Sequence, residues 1–247
     1  MRYAILSDIH GNLEALTAVL DRLSRERIDR YLCLGDVVGY GADPEPCLTR
    51  VQQLDAVCVA GNHEAACLGK LDPNWFNDSA KRAILWTRDQ LGFGDLDAIR
   101  RWPLTLTEGR YALAHASLRH PERFEYILDA VRAMEMARRA EAPICLIGHT
   151  HVPAVVEYST TSMMDRVEMP IRELADWPLK PSMRYVINCG SVGQPRDGDP
   201  RAACAVIDED AQTLAIVRVP YDIATAQRKI REAKLPEPLA ERLAVGR

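Results

Sequence analysis

Asp8 and His10 stand two residues apart at the end of the apolar run RYAILS, and the spacing returns as His149 and His151 in GHTH. On an extended backbone such pairs point to one side, so Asp8 and His10 converge while Ile9 points away, and His149 and His151 share a side. A carboxylate and an imidazole meeting at one point suit a borderline divalent metal. A further acid, Asp36, closes the second apolar run in GDVVGYG, and the third run ends in Gly61-Asn62-His63-Glu64. Neighbours on an extended chain face opposite ways, which predicts different jobs for Asn62 and His63. His115 completes the set after YALA. Five of the six histidines thus follow strand-like runs directly, which is not how core histidines scatter.

Side chains so placed need a scaffold that ends several strands on one side. RYAILS followed by LEALTAVLDRL, with Leu13, Leu16, Leu20 and Leu23 at helical spacing, is a β-α start. The pattern repeats with RYLCLG and a helix after DPEP, then with AVCVAG and a helix over Ser79 to Leu91. Strands this apolar imply a sheet buried on both faces, and the carboxyl ends of such strands form ligand crevices. A hairpin in TLTEGRYALAH, a helix from Pro121 to Arg139 and the buried strand PICLIG come next. From Val152 to Val219 the chain reads as strands, VPAVVEY, MRYVIN, AACAVID and TLAIVRV, which a second sheet packed on the first would bury. Segment 159–182, with Pro170, Trp177, Pro178 and Pro181, has no assignment. The tail from about 222 reads as two short helices broken at Pro236 and Pro238.

A length of 247 residues is expected to form one domain, 1–247. The net charge of −4 gives no broad basic surface, so tight binding to duplex nucleic acid is not expected. No apolar stretch approaches the roughly 18 residues of a spanning helix. The seven cysteines lack CxxC spacing, and Cys33, Cys58, Cys145, Cys189 and Cys204 fall in or beside apolar runs. They read as reduced core residues of a cytoplasmic protein.

The ordered series D-x-H, GD-x-x-G, GNHE, a lone His and GHTH resembles the calcineurin-like metallophosphoesterase family over nearly the whole chain. GDVVGYGADPEPC, GSVGQPRDGDPR and the helical tail are similar to its compact bacterial and archaeal phosphodiesterase branch. The fold class is then α/β, a four-layer α-β-β-α sandwich of two packed mixed β-sheets flanked by helices. The resemblance implies two divalent metal ions, one among Asp8, His10, Asp36 and His151, the other among Asp36, Asn62, His115 and His149, bridged by Asp36. A carboxylate can serve two cations, whereas neutral imidazole has one free lone pair. Without a cysteine ligand the site favours Mn, Fe, Zn, Ni or Co. Such a centre would hydrolyse phosphate esters, as phosphodiesterase or phosphatase, by in-line attack of a metal-bridging hydroxide. His63, which the family pattern leaves free of metal, would assist the leaving group, with Asn62 and Asp36 as its partners in catalysis. The implied substrate is a small phosphate ester, nucleotides included. Oligomeric state is left open, a homo-oligomer being compatible.

Arg196 could contact a substrate phosphate, because guanidinium pairs well with phosphate oxygens. Asp197 and Asp199 flank Gly198 as turn formers, and Gly39 and Gly41 permit tight loops near the metals. Tyr40 fits cleft lining and packing equally. His120 reads as a surface residue before Pro121, and Met163 and Met164 as fillers of an apolar contact. Trp75, Phe76, Trp86 and Trp102 read mostly as core, with Trp75 and Phe76 placed to border the cleft. Cys189 stands where similar proteins often carry proline, which leaves every ligand type intact. Competing readings are a non-catalytic protein-binding scaffold of the same fold, and a protein phosphatase or nuclease.

Overall fold

The computed structural model describes residues 1–138, 140–159, 166–168 and 173–247. Met163, Met164 and Pro170 lie outside the described residues. Along the chain, β1 (Arg2–Leu6), α1 (Leu13–Leu23), β2 (Arg30–Cys33), α2 (Pro44–Gln53) and β3 (Val57–Cys58) build the first half-sheet. Then follow α3 (Asn62–Cys67), α4 (Asp78–Gln90), α5 (Phe93–Arg100), β4 (Thr105–Glu108), β5 (Tyr111–Ala114), α6 (Ala130–Ala137) and β6 (Ile144–Ile147). The remainder is β7 (Ala154–Tyr158), β8 (Arg166–Glu168), β9 (Leu174–Pro178), β10 (Arg184–Asn188), β11 (Ala202–Asp208), β12 (Thr213–Val219), α7 (Ile223–Glu232) and α8 (Glu237–Glu241). No helix among the described residues is long and apolar enough to cross a membrane.

The strands form two mixed six-stranded sheets, ordered β3-β2-β1-β11-β12-β9 and β4-β5-β6-β10-β7-β8. The period-2 alternation of side chains sorts the layers. On β1, Tyr3 and Ile5 point between the sheets with Leu113, Ile144, Leu146 and Ile207, while Ala4 and Leu6 pack on Leu16 and Val19 of α1. On β6, Cys145 and Ile147 turn outward to Ala133, Met136 and Ala137 of α6. The result is the expected four-layer α-β-β-α sandwich. Each fully buried Leu or Ile contributes about 1.5–3 kcal/mol, so doubly apolar strands hold the two sheets face to face.

Several expectations change in detail. The strands after Val152 do not make the second sheet by themselves: β9, β11 and β12 extend the first sheet from β1, while β7, β8 and β10 join β4, β5 and β6. Alternation alone carries no information on partner choice. In place of a helix over 121–139, Pro121–Arg123 form one 3-10 turn ended by Phe124 at φ 49°, and the helix starts only after Asp129, whose side chain caps Arg132 N–H. Helix α5 lies where the sequence reading places no element; Asp95 accepts the Gly92 N–H and opens it. Pro238 does not break the tail, because it occupies the first turn of α8, where a missing N–H is tolerated. All seven cysteines are unpaired, and all but Cys58 are buried.

Candidate metal centre

The strand-end residues do meet, but not through extended backbone. Asp8 (φ 53°), His10 (φ 50°), Asp36 (φ 51°), His149 (φ 66°) and His151 (φ 60°) all occupy the left-handed region. Each such residue costs on the order of 1 kcal/mol or more, a strain that clusters where surrounding structure over-determines a functional geometry. Loop-to-loop bonds supply that constraint here: Asp8 N–H to Gly35 O at 3.0 Å, His10 N–H to Asp36 O at 2.9 Å, and His149 N–H to Asp8 Oδ2 at 3.0 Å. His149 and His151 therefore do not share a side. His151 joins Asp8 and His10, whereas His149 joins Asp36 and His115. Asn62 and His63 likewise open α3 rather than close a strand, and helical geometry separates their directions.

The histidine nitrogens are assigned by what lies behind them. Nδ1 of His10 faces Val38 O at 3.1 Å, Nδ1 of His115 faces Leu34 O at 2.8 Å, and Nδ1 of His151 faces Gln194 O at 2.5 Å. A carbonyl accepts only from N–H, so in the neutral form that binds metal all three present Nε2 as a lone pair to the interior, His115 first giving up the proton that Asp36 holds on its Nε2. Nε2 of His10 and His151 lie 3.2 Å apart, and Nε2 of His115 lies 3.0 Å from both Asn62 Oδ1 and His149 Nδ1. Lone pairs crowded at that separation, with Asp8 Oδ1 buried and lacking a hydrogen-bond partner, are the arrangement that a divalent cation stabilises. The donor set fits the metal the sequence calls for.

Asp8, Asp36 and the five clustered histidines are all buried, yet the acids stay ionised. Burial alone would raise both carboxyls; His151 beside Asp8 and His115 beside Asp36 outweigh it and hold them well below the carboxylate range. His115 goes the other way from burial: the Asp36 carboxylate, 3.2 Å from its Nε2, pushes it up to about 9. Desolvation lowers His149 to about 3 and His63 to about 4. Nε2 of His63 is 4.0 Å from Asp36 Oδ2, its backbone N–H donates to Asp36 Oδ1 at 2.9 Å, and its ring also clusters with His10 and Asp36. A Cβ on Gly39, at φ 88°, would strike the His63 Nδ1, so this glycine is required for the ring to sit there.

Above the centre a cleft of about 290 Å³ is lined by Asn62, His149, Tyr40 and Arg196, with Trp75, Phe76, Tyr126 and Arg242 around them. Tyr126 stacks on His149 at 4.0 Å, and Tyr40 lies 4.5 Å from both His10 and His63, so it both packs and lines. Phe76 is half-buried, 5.4 Å from His63. Trp75 is not core: it is 77% exposed at the rim. Trp86 and Trp102 are half-buried against the cores. Asp197 and Asp199 are not plain turn formers, since they pair with Arg218 and Arg201. His120 is exposed, as expected. Tyr126 and Arg242 escape sequence reading because neither sits in a strand-end motif; only the fold brings them over the centre. Glu64 carries no sign of its role in the GNHE motif; it accepts backbone N–H groups of Asp36, Val37 and Gly61, each at 2.8 Å.

Residues 1–212 match the calcineurin-like phosphoesterase superfamily domain. An uncharacterised protein of Methanocaldococcus jannaschii is 37% identical over 99% of this chain and 98% of its own length. The crystal structure of a metallophosphoesterase from Sphaerobacter thermophilus is similar with a TM-score of 0.87 and 40% identity, covering all of both chains. A hypothetical protein of Pyrococcus horikoshii shares the fold at a TM-score of 0.79 and 21% identity, covering 100% of this chain and 98% of that one.

Proposed function

The chain belongs to the calcineurin-like phosphoesterase superfamily and is a metal-dependent phosphoesterase, and from that premise we propose that it hydrolyses small phosphate esters at a centre of two divalent cations. The observation that carries this reading is the position of Asp36, whose Oδ2 stands 3.7 Å from His10 Nε2 and 3.2 Å from His115 Nε2. One carboxylate between two groups of lone pairs is suited to bridge two ions. Asp8, His10 and His151 would complete one site; Asn62, His115 and His149 would complete the other. Divalent cations there supply charge neutralisation at the phosphoryl oxygens and make water acidic enough to attack phosphorus near neutral pH. The oxygen and nitrogen donors suit Mn, Fe, Zn, Ni or Co, manganese being the first to try.

The remaining residues act on the ester itself. His63, held neutral by its desolvated pocket, stabilises the leaving oxygen by donating a ring N–H hydrogen bond as negative charge develops there, and the leaving oxygen takes its proton from solvent. Arg196 orients a phosphate oxygen. A cleft of about 290 Å³ lies at the small end of ligand pockets and favours a small ester over a protein or a nucleic-acid strand. The exposed rings of Trp75 and Tyr126 offer faces for a planar group, which brings nucleotides within the class. Unpaired cysteines fit a reducing compartment, and we place the protein in the cytoplasm. The test is turnover of bis(p-nitrophenyl) phosphate by protein loaded in turn with Mn, Co, Ni and Zn. Hydrolysis with at least one metal is expected. Silence with all four would favour the scaffold reading.

A further inference from the structure

The family match ends at residue 212, yet the tail beyond it reaches the cleft. Helices α7 and α8 gather Ala226, Ile230 and Leu239 around Tyr40, and Lys229 pairs with Glu14 and with Asp43 at 2.9 Å. This docking carries Arg242 to the cleft, where its guanidinium donates to Gln194 Oε1 at 3.1 Å. Arg196 donates to the same oxygen at 2.9 Å, and its guanidinium sits 5.8 Å from the centroid of the Tyr40 ring.

Among the described residues neither arginine has a carboxylate within ion-pair reach, and the buried Arg196 Nε has no hydrogen-bond partner. Two guanidiniums sharing one neutral acceptor repel each other. Desolvation, and then the Arg196 charge, make Arg242 less basic than an ordinary arginine. Such a pair is unfavourable for the folded chain alone and becomes favourable when a multivalent oxyanion bridges it. Order along the cleft follows from two contacts of Arg196: its backbone N–H donates to His151 O at 3.2 Å, and its guanidinium lies over the Tyr40 ring that neighbours His10 and His63, while Arg242 meets Arg196 through Gln194. A phosphate chain leaving the centre would pass Arg196 first and Arg242 next.

Resting on the hydrolase reading of this cleft, we propose that the C-terminal tail completes a phosphate subsite, in which Arg196 and Arg242 together bind a second phosphate of the substrate. The fitting class is a nucleoside di- or polyphosphate rather than a singly phosphorylated ester, its base facing Trp75 and Tyr126.

Calorimetric titration of the manganese-loaded protein with the methylenephosphonate analogue of AMP, whose ester oxygen is a methylene, and with the matching bis-methylene analogue of ADP reads the subsite without turnover. Charge-assisted hydrogen bonds to one further phosphate predict binding of the diphosphate analogue at least about tenfold tighter than the monophosphate analogue. Arg242→Ala should bring that ratio to within about twofold. Arg242→Gln, which keeps most of the side-chain stem, should do the same if the charge matters rather than packing. Equal binding of the two analogues by the unaltered protein, or a preference surviving both substitutions, would overturn the subsite. Hydrolysis of bis(p-nitrophenyl) phosphate by the unaltered protein reports on the hydrolase reading separately, so either can fail alone.

Discussion

Glu64 Oε2 accepts the backbone N–H of Asp36 at 2.8 Å, although both residues are buried acids of one site. The same oxygen takes Gly61 N–H at 2.8 Å, while Oε1 takes Val37 at 2.8 Å and Val38 at 3.3 Å. Burial and then the Asp36 charge push the Glu64 carboxyl up to about 7, and the bonds from Gly61 and Asp36 pull against that rise. Glu64 is thus a clamp that holds the Asp36 loop in its left-handed turn.

Replacing Glu64 by Gln would turn an NH2 toward donors it cannot satisfy. An unsatisfied buried N–H costs about 1–3 kcal/mol, and at about 2–4 °C per kcal/mol for a chain of this size Glu64→Gln should lower the melting temperature by about 2–12 °C. Scanning calorimetry of the metal-free protein checks this. An unchanged melting temperature would show that the clamp carries no weight.

Gly39→Ala should disable His63 without replacing it. The new Cβ must displace the ring or shift the loop, and a misplacement of about 1 Å can cost on the order of 100-fold in rate. The expected signature is a fall in kcat with the metal content retained, read by mass spectrometry of the bound metal.

His63→Ala should also keep its metals and lose about 100- to 10,000-fold in kcat. Loss of metal instead would assign His63 to the ligand set, a role its ring could fill beside His10 and Asp36.

Which residues converge was legible in the sequence; how they converge was not. Asp8, His10, Asp36, Asn62, His63, His115, His149 and His151 each announce themselves by polar type after an apolar run, because strand ends in this topology share one edge. Alternation gave the wrong reason for Asp8 and His10 and the wrong grouping for His149 and His151, since left-handed φ values depend on bonds from distant loops such as Gly35 O to Asp8 N–H. Tyr126 and Arg242 were illegible for a related cause. Their roles exist only once α8 and the turn after Pro121 are docked over the centre.

Without metal, His115 keeps its proton to about pH 9, so its contribution to stability is full below its ordinary value near 6.5 and is lost as pH rises through 9. Metal must displace that proton. Below pH 9 each molecule should release about one proton from His115 on binding, and apparent affinity should rise up to about tenfold per pH unit. Titration calorimetry in two buffers of different ionisation enthalpy measures the release; buffer-independent heats would contradict it.

The most direct test of a two-cation centre bridged by Asp36 is stoichiometric reconstitution. Chelator-stripped protein is titrated with manganese while bound metal and hydrolysis of bis(p-nitrophenyl) phosphate are followed together. Binding should saturate at about two ions per chain, with activity rising mainly as the second is taken up. Saturation at a single ion with full activity would contradict the bridged pair.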